Sequence, residues 1–174
     1  MTKHWPFGET ERGRYADGLD RLAKNPSSAL ELGKAAEHLA CADLILQGHR
    51  AYLSDQGLPY DIVVDLKGHL IRVQSKAACF AKNVNKKGRS ERLAYSFSVR
   101  RRGKGGDKRL SNEDCDVIAL VALDRRLVAY LPIREVGITC QLMPPGFEFR
   151  GKYKRNRFAS IDGFPFSSAV GRLP

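Results

Sequence analysis

Two strand-forming runs, Tyr60-Asp61-Ile62-Val63-Val64-Asp65-Leu66 and His69-Leu70-Ile71-Arg72-Val73-Gln74, are separated only by Lys67-Gly68. Glycine takes the positive φ that a two-residue turn demands, so the runs are expected to close into a hairpin. Such a turn fixes the register. With Leu66 opposite His69, Val64 faces Ile71, Ile62 faces Val73, and Asp61 stands across from Gln74 with Cβ atoms about 5 Å apart. Side chains alternate along a strand, which puts Ile62, Val64, Leu66, Ile71 and Val73 on one face. Asp61, Asp65, Arg72, Gln74 and Lys76 fall on the other. The first face is expected to be core. The second is either a solvated surface or a site that joins an acid, an amide and an ammonium, and a one-residue slip would dissolve that grouping.

Upstream, Ser28-Ala29-Leu30-Glu31 reads as a capping box and Gly48 as a stop, which predicts a helix from Ala29 to Gln47. On a helical wheel Leu32, Ala36, Leu39, Ala40 and Leu46 form the buried stripe, with Glu37 at its margin beside Ala40 and Leu44. Glu31 is accounted for by the cap, whereas Glu37 is aimed along the edge of the core. Downstream, Leu93, Tyr95, Phe97 and Val99 alternate with smaller or polar residues as in a half-buried strand. The run Asp116 to Leu123 is nearly continuous apolar, as in a strand covered on both faces, and Asp124-Arg125-Arg126 turns it back into Leu127 to Pro132. The expected architecture is an α/β (α+β) sandwich, a mixed sheet of about five strands flanked by helices. A chain of 174 residues suits one domain with arms. We expect an N-terminal arm over 1–28 with at most a short helix near Ala16 to Lys24, a core over 29–136, and a basic C-terminal extension over 137–174.

Charge then narrows the partner. Lys and Arg number 30 against 19 Asp and Glu, a formal charge of +11, as expected of a protein that holds a polyanion. The excess is gathered in runs. Lys82, Lys86, Lys87 and Arg89 precede the third strand; Arg100, Arg101, Arg102, Lys104, Lys108 and Arg109 follow it among glycines. Lys152, Lys154 and Arg155 lie near Phe149, Tyr153 and Phe158. Cationic loops with aromatics suit backbone phosphates and stacked bases, so these are the candidate DNA-binding residues. There is no signal-peptide pattern and no apolar run approaching 18 residues, so the expected compartment is the cytoplasm, in association with the nucleoid, and no membrane partner is expected. Cys41, Cys79, Cys115 and Cys140 include no CxxC pair and the histidines no zinc-ligand spacing, which makes them ordinary reduced residues.

Taken in order, Gly33-Lys34-Ala35-Ala36-Glu37, Leu46-Gln47-Gly48-His49, Tyr60-Asp61 and Arg72-Val73-Gln74-Ser75-Lys76 resemble the PD-(D/E)xK nuclease superfamily. The QxK form, with the Tyr95 strand and Val128-Ala129-Tyr130-Leu131-Pro132-Ile133, is similar to the group I intron homing endonucleases of that restriction-endonuclease-like fold. Tyr60 stands where the motif has proline, and Gln74 where it has an acid. The resemblance implies hydrolysis of a DNA phosphodiester with a divalent metal, Mg2+ or in its place Mn2+. Asp61, Glu37 and the Gln74 carbonyl oxygen would hold the ion, and Lys76 would orient the attacking water. An amide in place of a carboxylate implies looser magnesium binding. The implied partner is double-stranded DNA, met by a homodimer or dimer of dimers that sets one site on each strand. A Holliday-junction resolvase or other structure-selective nuclease shares this motif layout, and a weakened metal site would leave an inactive DNA-binding protein of the same fold. A basic RNA-associated protein is disfavoured because no RNA-binding signature is present.

Overall fold

The computed structural model describes residues 9–25, 28–84, 92–103, 106–146 and 159–174, the side chains of 9–16, 102 and 103 excepted. Two helices come first, α1 (Glu9–Lys24) and α2 (Ala29–Leu46), then strands β1 (Arg50–Leu53), β2 (Ile62–Leu66), β3 (His69–Ala78) and β4 (Lys82–Asn83). The chain continues through β5 (Leu93–Ser98), β6 (Arg100–Gly103), β7 (Gly106–Arg109), β8 (Val117–Ala122), β9 (Leu127–Pro132), β10 (Thr139–Leu142) and a short α3 (Phe166–Val170).

The hairpin forms in the expected register, with Ile62 opposite Val73, Val64 opposite Ile71 and Leu66 opposite His69. Lys67 and Gly68 both take positive φ, 53° and 92°, the conformation that matches the twist of a two-residue hairpin. Asp65 Oδ1 accepts the Gly68 N–H at 2.8 Å and closes the turn.

The hairpin belongs to a five-stranded mixed sheet ordered β1-β2-β3-β8-β9, in which only β3 and β8 run parallel. Strands beside a parallel pair must be covered on both faces, and every residue of β8 is buried. On one face α2 sets Ala36, Ala40 and Leu44 against Ile62, Val64, Val73 and Val117. On the other, Tyr95, Phe97 and Val99 pack against Ile118, Leu120, Ala122 and Ala129.

The strand expected around Tyr95 alternates as read, but it lies outside the main sheet. β5 pairs with β4 and β10 in a separate three-stranded sheet, because its apolar face is used for layer-on-layer contact rather than for an edge. Its expected place in the main sheet is taken by β1, a run of which only Ala51 is buried. The C-terminal segment supplies β10 to that second sheet and Phe166 and Ala169 to the helix-side core. At the other end α1 is longer than the short helix expected, and Leu19 packs on the helix-side core.

Two details of α2 need correction. Ser28 sits at φ −83°, ψ 8°, outside the extended region from which a hydroxyl reaches the first turn, and it makes no capping hydrogen bond. The capping box is therefore not formed, and Glu31 is exposed. The buried stripe runs Ala36, Ala40, Cys41, Leu44, while Leu46 is 86% exposed, since two residues beyond Leu44 the helix has turned that side chain away from the sheet. Gly48, at φ 86°, ends the helix as expected. No helix among the described residues is long and apolar enough to cross a membrane.

Candidate active site

Asp61 is positioned by backbone before its side chain does anything. Its N–H donates to Val73 O at 2.9 Å and its carbonyl accepts the Ser54 N–H at 2.8 Å, so the residue is pinned between β1 and β3. The carboxylate then meets three donors on one oxygen. Oδ2 accepts Gln74 Nε2 at 2.5 Å, Ser75 N at 2.8 Å and Ser75 Oγ at 2.9 Å. Oδ1 takes no hydrogen bond among the described residues. Asp61 thus has one oxygen committed to holding the site together and one left over. Ser75 was not singled out from sequence, because a residue between the motif amide and lysine points to the opposite face. Asp61 stands just before its strand, at a bend, and reaches round to it.

Gln74 and Lys76 alternate onto the face covered by β5, in register with Ile118 and Leu120 of β8. Gln74 is only 9% exposed. Its Nε2 lies between Asp61 Oδ2 and, at 3.3 Å, Ser75 O, so the positive end of the amide dipole fills a place where two oxygens converge. The two ends of a carboxamide exchange by a half-turn, which makes the same side chain a donor to Asp61 or an oxygen ligand.

The apolar wall beside Lys76 penalises its ammonium. Burial lowers the Lys76 pKa from the ordinary 10.5, and the nearby Asp61, Cys115 and Glu37 oppose that shift. Because the unfolded chain holds this proton more tightly, stability rises with pH from the lowered folded value up to 10.5. Cys115 is held as a neutral thiol, its pKa pushed up to about 12 chiefly by burial and then by Asp116 and Asp114.

Glu37 approaches from the helix side. Its pKa is raised above 4.5, first by burial and then by the charge of Asp61, with His38, Lys34 and Lys76 acting the other way. The two carboxylates, with the Gln74 carboxamide turned so that its oxygen replaces Nε2, would make an all-oxygen donor set, which fits a hard divalent cation. Among the described residues there is no cluster of three Asp, Glu, His or Cys that could hold a metal ion. We expect a carboxyl-selective NMR titration without metal to find Glu37 above its ordinary 4.5. Asp61→Asn should lower it by removing the second cause, and a Glu37 pKa indifferent to Asp61 would contradict the shared locale. The sign also fixes stability: the raised pKa adds stability that is complete below 4.5 and lost as pH rises through the folded value.

The other expected residues divide. Arg72 does not face the site; its guanidinium binds Asp116 at 2.7 and 3.1 Å and the carbonyls of Glu113 and Asn112, both at 2.7 Å. It clamps the 111–116 loop to β3. Lys82 is exposed on β4, and Arg100, Arg101, Lys108 and Arg109 are exposed on the β6–β7 hairpin. Arg102 is described only by its backbone, opposite Asp107. Lys86, Lys87, Arg89, Lys104, Lys152, Lys154 and Arg155 lie outside the described residues.

A family model described as PD-(D/E)XK endonuclease matches residues 28–149, a span that holds Glu37, Asp61, Gln74 and Lys76. The fold is similar to the solved structure of a bacterial homing endonuclease, I-Ssp6803I, with TM-score 0.53 and 18% identity over 71% of this chain and 84% of that one. No curated protein matches the chain.

Proposed function

Because the chain belongs to the PD-(D/E)XK endonuclease family, we propose that it hydrolyses phosphodiester bonds of double-stranded DNA at specific sites, in the manner of a homing endonuclease. The observation that carries this reading is the Gln74–Asp61 hydrogen bond at the open end of the hairpin, with Lys76 on the same face of β3 as Gln74 and the charge of Asp61 acting on both Lys76 and Glu37.

Asp61, Glu37 and the Gln74 carbonyl oxygen are the residues that would hold a divalent cation, magnesium or in its place manganese. When bound, such an ion polarises the scissile phosphoryl oxygen and makes a bound water more acidic. The protein's own part is positional. Asp61 keeps its free oxygen aimed because Ser75 and the two flanking strands fix the rest of the residue. Lys76 offers hydrogen-bond donors to the attacking water and to the charge that builds on phosphate oxygens. Its apolar wall strengthens that interaction by excluding water. Two copies related by a two-fold axis, as a homodimer or dimer of dimers, would give each DNA strand a site.

Incubating the protein with a randomised duplex library and magnesium, then sequencing the cut ends, tests the reading. The expected result is cleavage at one recurring sequence with a fixed offset between strands. Preferential cutting of four-way junctions over linear DNA would replace it with a structure-selective nuclease. Tight binding without cleavage in either metal would replace it with an inactive DNA-binding protein.

A further inference from the structure

The β6–β7 hairpin belongs to neither large sheet. Arg100 pairs with Arg109, Arg101 with Lys108, Arg102 with Asp107 and Gly103 with Gly106, and all the described side chains of its two strands are exposed. The described side chains of the ribbon form no buried apolar face, and an isolated two-stranded hairpin is at best marginal in water. Two contacts at its base hold it to the body. Arg109 donates to Val136 O at 3.1 Å, and Arg101 lies 3.7 Å from the buried carboxylate of Asp114. Asp114 belongs to the loop that Arg72 clamps to β3 two residues before Gln74. The ribbon is therefore registered to the catalytic strand through a short chain of polar contacts.

We propose that this ribbon enters the major groove beside the scissile phosphate and reads base edges there with its two faces, through Lys108 on one and Asp107 on the other. The inference rests on the reading of the chain as a DNA endonuclease. Two four-residue strands are about 14 Å long. The major groove is roughly 12 Å wide and 8.5 Å deep and admits a two-stranded ribbon. The last described rung, Gly103 and Gly106, carries no side chains, so the ribbon is narrow there. Arg101 and Arg109 are engaged at the base. Lys108 has no partner among the described residues, and lysine donates to guanine O6 and N7. Asp107 is the telling residue. A carboxylate is repelled by phosphates and weakens a surface that only grips the backbone, whereas it accepts a hydrogen bond from cytosine N4. Arg100, 3.6 Å from Asp107, offsets its charge on approach to DNA.

The test is selection of bound duplexes from a randomised pool by the uncleaving Lys76→Ala protein, alone and with Lys108→Ala or Asp107→Ala added. Both added changes are at exposed positions outside the core. The expected result is a defined consensus for Lys76→Ala, and for each double variant a loss of about tenfold in discrimination at a few adjacent base pairs, with the rest of the consensus kept. Uniform weakening across all sequences, with the salt slope reduced by about one, would make these residues phosphate contacts and overturn the proposal. An unchanged consensus at unchanged affinity would overturn it as well. If Lys76→Ala itself enriched no sequence, the site-specific reading would fail and take the ribbon's role with it.

Discussion

Lys76→Ala is expected to slow DNA cleavage by about 10² to 10³ fold while DNA binding and the fold survive. The magnitude follows from where the ammonium sits. A charge in water contributes little to a transition state because solvent screens it, but Lys76 stands beside Ile118 and Leu120 in a wall that holds water off. That wall also makes the residue costly to keep, since burial lowers its pKa against the pull of Asp61, Cys115 and Glu37. Lys76→Met should therefore lose the same activity and yet melt no lower, and at neutral pH somewhat higher, than the parent. It should also abolish the rise of stability with pH between the lowered folded pKa and 10.5. Single-turnover cleavage and pH-dependent urea unfolding check the two halves. Parental cutting by Lys76→Met would remove the lysine from the chemistry.

Asp61 could not be used so cleanly. Its Oδ2 satisfies Ser75 N, Ser75 Oγ and Gln74 Nε2, so Asp61→Ala would strand several donors at once. An acid that holds the site together confounds stability with its proposed part in the chemistry, which is why the lysine is the sharper probe.

These two residues also show what a linear reading can reach. A two-residue turn determines the pairing that follows it, so the register from Leu66–His69 to Ile62–Val73 was legible from Lys67-Gly68 onward; the ladder ends there, and Asp61, just beyond it, meets Gln74 through its side chain. The polar face beyond it looked open because nothing in the hairpin says that β5 will lie over it. That cover depends on a contact between segments some twenty residues apart, and it is what makes Lys76 a desolvated lysine instead of a surface one. Strand β1 was illegible for a related reason. Arg50-Ala51-Tyr52-Leu53 has one buried side chain and owes its conformation to its ladder with β2. The basic runs gave the correct sign of charge but not a division of labour, since only the folded hairpin shows Arg101 and Arg109 engaged at its base while Lys108 projects.

The C-terminal segment offers the largest expected effect on stability. Phe166 is fully buried, with its ring edge-on to Tyr130 at 5.4 Å and to His49 at 5.0 Å between centroids. Removing a ring from such a place leaves a cavity among rigid neighbours, so Phe166→Ala should cost about 3–5 kcal/mol. Ser167→Ala, exposed one residue on, should stay within about 0.5 kcal/mol. Equilibrium urea unfolding of the two variants decides whether the segment is part of the cooperative unit, and equal midpoints would mean that it is not. The consequence extends to the site. Tyr130 Oη lies 2.7 Å from Asp43 Oδ2 and 3.2 Å from Ala40 O, which ties β9 to the stretch of α2 just beyond Glu37. A Phe166→Ala protein that still folds should therefore need more magnesium for half-maximal cleavage, because the cavity lies beneath the tyrosine that steadies the helix bearing Glu37.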